Sequence, residues 1–136
     1  MIYLTRRERF SSAHRMYKPD WDNQKNFEVF GKCSNPNWHG HNYILWVTVK
    51  GEVSEDVGFV MNLDTLKKII HKRVIEKLDH KNLNLDTDFL RGKIVTTENL
   101  AIAIWNELEA EIKLNGAELH CVKIEETENN TIEYYV

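Results

Sequence analysis

The run Cys33-Ser34-Asn35-Pro36-Asn37-Trp38-His39-Gly40-His41-Asn42-Tyr43 changes character at His39. From His39 to Val49 the residues alternate and are rich in aromatic and β-branched side chains, the pattern of a β-strand. Side chains alternate between the faces of a strand, so His39 and His41 point the same way, one pleat apart. Two imidazoles in that relation can hold one metal ion. Gly40 between them lets a ligand or another backbone approach from the opposite face. Just upstream, Cys33 places a thiol on a loop punctuated by Asn35-Pro36-Asn37. The expectation is a metal site with a nucleophile or base beside it.

Working outward, Ile2 to Ser11 lacks Pro and Gly and fits a first strand, whose end at Phe10 to Arg15 delivers His14 to the mouth of a sheet. Met16 to Phe30 has turn chemistry and no period, so it is expected as a long loop, functional or partner-facing. Phe59-Val60-Met61 is expected as a short strand. Leu66, Ile69, Ile70, Val74 and Leu78 recur at helical steps behind Asp64 as N-cap. Leu100, Ala101, Ile104, Trp105, Leu108 and Ile112 do the same behind Thr96 or Thr97, until Asn115-Gly116 stops the helix. Leu119 to Thr127 and Thr131 to Val136 read as a hairpin around Glu128-Asn129-Asn130. The order ββααββ implies an α+β fold, an antiparallel four-stranded sheet with two helices on one face, in a single domain over residues 1–136. Exposed edges and aromatic strand faces favour assembly between chains.

Composition narrows the function classes. With 136 residues, 42% hydrophobic and 29% charged, the chain supports one ordinary core. A net charge of -3 and the lack of a basic run argue against a nucleic-acid or anionic-membrane partner. No stretch of about 18 apolar residues is present to span a bilayer, and Met1 opens no signal peptide. Two cysteines are too few for a small secreted framework, so Cys33 and Cys121 read as thiols of a cytoplasmic protein.

Three histidines with an open fourth position would make a catalytic zinc site. H-x-H alone also occurs on solvated strand faces, and the third ligand could be His14, His71, His80 or His120. His71 lies on the polar side of its helix, and His120 sits mid-strand without an evident role. The polar setting of Cys33, among Lys32, Ser34 and Asn35, favours a reactive thiol over a small buried hydrophobe. Cys121, between Leu119 and Val122, reads as core. Asp79-His80 at a helix end suits either a proton relay or favourable charge at the dipole's negative end. Glu125 and Glu126 would ordinarily be surface charge, although a pocketed carboxylate recognises a guanidine-like edge through paired hydrogen bonds.

Five motifs in register carry a resemblance across essentially the whole chain: F-S-S-A-H-R at Phe10 to Arg15, F-G-K-C-S-N-P-N-W-H-G-H-N-Y at Phe30 to Tyr43, L-D-H-K-N-L-N at Leu78 to Asn84, T-T-E-N at Thr96 to Asn99, and E-T-E-N-N at Glu126 to Asn130. The chain resembles the 6-pyruvoyl-tetrahydropterin synthases and their relatives, the 6-carboxytetrahydropterin synthases, of the tunnelling-fold group. The resemblance implies that His14, His39 and His41 bind Zn2+, that Cys33 is the catalytic thiol, and that Asp79 and His80 form a proton relay. It implies Glu126 as the pterin-anchoring carboxylate, with Thr96, Thr97 and Glu98 near the pterin pocket. The substrate it implies is 7,8-dihydroneopterin triphosphate, converted with loss of triphosphate, in a cytoplasmic homohexamer built as a dimer of trimers. Five residues, Ser34 to Trp38, separate the cysteine from H-G-H, which resembles the pyruvoyl-forming enzymes of tetrahydrobiopterin biosynthesis more than the carboxy-forming enzymes of queuosine biosynthesis. Trp38 departs from the family, where glycine is common. The alternatives are the 6-carboxy product with acetaldehyde, and a pterin- or purine-binding module with structural zinc.

Overall fold

A computed structural model describes all of residues 1–136. In chain order it contains β1 (Ile2–His14), α1 (Asn23–Phe30), a 3-10 turn (Gly31–Ser34), β2 (His39–Gly51), α2 (Leu63–Ile70), a π-helical turn (His71–Ile75), α3 (Glu76–Leu78), β3 (Lys81–Asn82), α4 (Thr97–Leu114), β4 (Glu118–Thr127) and β5 (Asn130–Tyr134). The sheet runs β3-β1-β2-β4-β5. All its pairings are antiparallel except β1 with β3.

The long β1–β2 ladder is the frame of the molecule. Its register is one-to-one from Ile2↔Gly51 to His14↔His39 without a bulge. Strand alternation then fixes the faces: Phe10, Tyr43, Leu45, Val47 and Val49 point inward and are buried, while Tyr3, Thr5, Arg7 and Arg9 point out and are exposed. Leu66, Ile69 and Ile70 of α2 and Leu100, Ile104, Trp105, Leu108 and Ile112 of α4 join the same apolar cluster. Both helices therefore cover one sheet face, as the two helical periods require.

Four corrections to the sequence expectations follow, each with a local cause. The sheet has five strands rather than four, because His80 N–H donates to Ser11 O at 2.7 Å and Leu83 N–H to Ala13 O at 2.8 Å, tying a two-residue strand beside β1. So short a strand leaves no periodic signal. The segment expected as a loop before Phe30 holds α1, which Asp22 caps by accepting from Lys25 N–H at 2.8 Å. Its organiser is polar: buried Asn26 accepts from Lys18 N–H and donates to the Lys18, Trp21 and Asp22 carbonyls, so no apolar stripe betrays the helix. The short strand expected at Phe59 to Met61 is absent, and Val60 instead packs so closely on Gly51 that a Cβ there would lie 2.8 Å from its Cγ1. Asn62, not Asp64, caps α2, accepting from Thr65 N–H at 3.1 Å.

Candidate metal centre

The ladder register brings the first two histidines together. His14 ends β1 directly opposite His39, which begins β2, and His41 lies opposite Ser12. Cross-strand and diagonal neighbours on one face lie within side-chain reach. The His14 ring centroid is 4.6 Å from that of His39 and 5.2 Å from that of His41, and His39 and His41 are 4.9 Å apart. One ring nitrogen from each lies within 4.8 Å of the others.

Their protonation is set by what surrounds them. His14 Nδ1 is 2.9 Å from the Val95 carbonyl, which only accepts, so Nδ1 carries the hydrogen and Nε2 presents a bare lone pair. Burial holds the His14 pKa down at about 4, opposed by the Val95 hydrogen bond and assisted by His39. Burial, then the His41 charge, lowers His39 as well. At neutral pH His14 is a neutral base. Glu126 faces this group, with Oε1 3.7 Å from His41 Nε2 and Oε2 4.0 Å from His14 Nε2. Glu126 is the extra residue of a bulge between β4 and β5, and the Thr97 hydroxyl donates to its Oε2.

His14 Nε2, both His39 nitrogens and His41 Nε2 are buried without a hydrogen-bond partner. Bare lone pairs converging beside a carboxylate are an arrangement that no hydrogen bond within the chain satisfies. A divalent cation satisfies it. Three imidazole nitrogens within reach of one another form a donor set that could hold such an ion. His14, His39 and His41 are the residues that would hold it.

The other expected site residues fall into three places. Cys33 is part-exposed in the 3-10 turn, and its carbonyl accepts from Met16 N–H at 2.8 Å, which ties the turn to the chain just beyond His14. Thr96 caps α4 through its hydroxyl oxygen, which accepts from Asn99 N–H at 3.1 Å, and exposed Glu98 lies in the first turn. Asp79 and His80 lie at the β3 edge, where Asp79 Oδ1 accepts from Ser11 N–H at 2.9 Å and Oδ2 lies 3.0 Å from His80 Nδ1. The Ser11 N–H, then His80, hold the Asp79 carboxyl below its usual range. His80 has φ 59° and its side chain is 84% exposed. It borders a surface cavity with Ser11, Gly40, His41 and Lys81. Within one chain no hydrogen bond or ion pair joins Asp79 and His80 to Cys33, Glu126 or the three histidines.

The remaining histidines do not join the centre. His71 pairs with Glu8 at 3.0 Å, and His120 lies against Tyr3 and Tyr135. Cys121 is buried but outside the main core, beside Tyr135. Sequence reasoning passed over Tyr43, the next inward residue after His41. Its ring stacks on Phe10 at 4.8 Å and lies 5.5 Å from His41, with a buried hydroxyl that has no partner. Burial raises the phenol well above its ordinary pKa, and the nearby Glu126 and Cys33 raise it further. The signal that could have found it is the extension of H-x-H to H-x-H-x-Y.

Residues 3–136 match the 6-pyruvoyl tetrahydropterin synthase family. A 6-pyruvoyl tetrahydrobiopterin synthase of Dictyostelium discoideum is 49% identical over 133 residues, covering 98% of this chain and 95% of that one. The solved 6-pyruvoyl tetrahydropterin synthase of Caenorhabditis elegans is 37% identical, superposes with a TM-score of 0.92, and is matched over 99% of this chain and 95% of that one. A 6-carboxy-5,6,7,8-tetrahydropterin synthase of Bacillus subtilis is 34% identical over 100 residues, covering 71% of this chain and 64% of its own. With the match running from Tyr3 to the last residue, this chain belongs to the 6-pyruvoyl tetrahydropterin synthase family.

Proposed function

We propose that the chain is a lyase converting 7,8-dihydroneopterin triphosphate to 6-pyruvoyl-tetrahydropterin and triphosphate, with Zn2+ held by His14, His39 and His41. The observation that carries this reading is the convergence of bare imidazole nitrogens within 4.8 Å, beside a carboxylate and without hydrogen-bond partners. Zinc bound there would act as a Lewis acid toward the side-chain hydroxyls of the substrate, acidifying the neighbouring C–H bonds.

The chain's own residues supply the rest. Glu126, oriented by the Thr97 hydroxyl, accepts hydrogen bonds from the amino-pyrimidine edge of the pterin and fixes the ring. Thr96 and Glu98 shape the start of α4 that presents Thr97. Cys33 as thiolate removes a side-chain proton, and the electron pair of that C–H bond reduces the ring's imine. His80, paired to Asp79, returns protons to the ring as the side chain becomes a diketone and triphosphate departs. No external reductant is consumed, because the ring gains the electrons that the side chain loses.

The exposure of His80 supports assembly, since a relay imidazole facing solvent at a sheet edge becomes enclosed when a second copy covers that edge. We assign the working unit to a homo-oligomer, a hexamer built as a dimer of trimers, in the cytoplasm. The pyruvoyl product is favoured by the longer, closer similarity to relatives named for it than to the Bacillus 6-carboxy enzyme. Product analysis on dihydroneopterin triphosphate tests the reading. The diketo product with triphosphate supports it, whereas acetaldehyde with a 6-carboxy product replaces it with the queuosine-type reaction. Cys33→Ala that keeps full function would instead mark a pterin-binding module with structural zinc.

A further inference from the structure

Two motif residues have no task in that reaction: Arg15, which follows the ligand His14, and Asn84, which ends the segment after His80. The structure joins them. Arg15 N–H donates to Asn84 Oδ1 at 3.0 Å, and Asn84 Nδ2 donates back to the Arg15 carbonyl at 3.0 Å. An amide that satisfies both backbone groups of one residue pins that residue in place across 69 positions of sequence. The pinned Arg15 then reaches the cysteine turn. Its Nη2 donates to the Ser34 carbonyl at 2.9 Å, beside the bond from Met16 N–H to the Cys33 carbonyl.

The guanidinium is held from two further sides. Its carbon lies 3.9 Å from the Tyr17 ring centroid and 5.8 Å from that of Trp38. Trp38 has φ 67°, a left-handed conformation that strains a bulky side chain and that glycine adopts freely. That backbone requirement explains why glycine suits the position. Here the indole persists in a strained backbone while lying over the Arg15 charge. No carboxylate pairs with Arg15, so the guanidinium is not simply one half of an ion pair.

We infer that Arg15 is the positioning residue of the Cys33 turn, locking Cys33 and Ser34 to the strand end that carries His14, with Asn84 and Trp38 as its supports. Three segments, bearing a metal ligand, the thiol and the relay pair, thus meet at one residue, the last through its backbone and the thiol turn through its guanidinium. As applied to turnover, the inference rests on the reaction proposed above. Misplacing a reacting group by about 1 Å costs on the order of a hundredfold in rate. Lysine keeps the charge but lacks the planar fork and the stacking face.

The test compares wild type, Arg15→Lys and Trp38→Gly in the zinc-loaded protein. Three readouts apply: zinc stoichiometry, thermal midpoint, and the rate of Cys33 alkylation by iodoacetamide followed on its peptide, with steady-state turnover of dihydroneopterin triphosphate alongside. For Arg15→Lys the expected result is one zinc per chain, a near wild-type thermal midpoint, an alkylation rate changed several-fold, and kcat lowered about ten- to a hundredfold with KM little moved. Trp38→Gly is expected to change alkylation in the same direction with no loss of thermal midpoint. Unchanged alkylation in both variants overturns the inference, as does a parallel fall of zinc content, midpoint and kcat, which marks Arg15 as merely structural. If Arg15→Lys does not fold, Trp38→Gly decides alone by its alkylation rate. Alkylation and zinc content do not depend on the pterin, so a wild-type chain without turnover overturns the proposed reaction while these two readouts still judge the positioning.

Discussion

Six successive inward positions of β2 divide into two halves that share a strand, a face and a partner strand but not a chemistry. Leu45, Val47 and Val49 are fully sealed beneath the helices, and everything they present is satisfied by packing. His39, His41 and Tyr43 continue the same row, yet each carries a buried polar atom without a partner. Burying a polar group unpaired costs about 1–3 kcal/mol in proteins. The apolar half is complete in the chain alone, and the polar half leaves buried nitrogens and a hydroxyl unpaired, a set that could hold a metal ion. That contrast separates what holds the fold from what the fold is for.

The largest expected break of the contrast is at the polar half. His39→Ala leaves two imidazoles, and zinc affinity should fall by well over a hundredfold, since losing even an outer-shell partner costs about 10–100-fold. Equilibrium titration against a chelator measures this, with the apo fold expected to remain cooperative. Next comes the apolar half. Leu45→Ala removes a fully buried side chain and should destabilise by about 2–5 kcal/mol in denaturant unfolding, with zinc stoichiometry unchanged.

Tyr43→Phe sharpens the contrast in the opposite direction. It removes an unpaired buried hydroxyl and keeps the ring on Phe10, so the metal-free chain should be as stable as wild type or more stable by about 1 kcal/mol. A loss of apo stability would mean that the hydroxyl already has a partner. The smallest effect belongs to Asp79. Its carboxyl is lowered in the folded chain, first by Ser11 N–H, so its contribution is present above the unfolded value near 3.8 and is lost as pH falls through the folded value. Asp79→Asn should flatten that acid limb of the stability–pH curve, modestly because the side chain is 37% exposed.

Legibility in the sequence tracked how far each feature depends on period and spacing. The β2 alternation and the α4 stripe announced themselves, because burial on one face forces a repeat. The strand pattern brought His14 to the sheet mouth as one of four candidate third ligands, and only the F-S-S-A-H-R motif singled it out, because its place opposite His39 depends on a long-range register. Helix α1 was hidden because a single buried amide, Asn26, organises it. Strand β3 was hidden because two hydrogen bonds define it. The convergence of Glu126 on the histidines depends on a bulge, and bulges follow from pairing rather than composition. Trp38 was visible as a departure from glycine, but its cause, a positive φ, exists only in three dimensions.

The most direct measurement is turnover of dihydroneopterin triphosphate as a function of zinc occupancy, with the chain first stripped by chelator and then titrated. The account predicts no turnover in the stripped chain, recovery in proportion to zinc, and saturation at one ion per chain. Full turnover by the stripped chain, or recovery unaltered in His39→Ala, would contradict it.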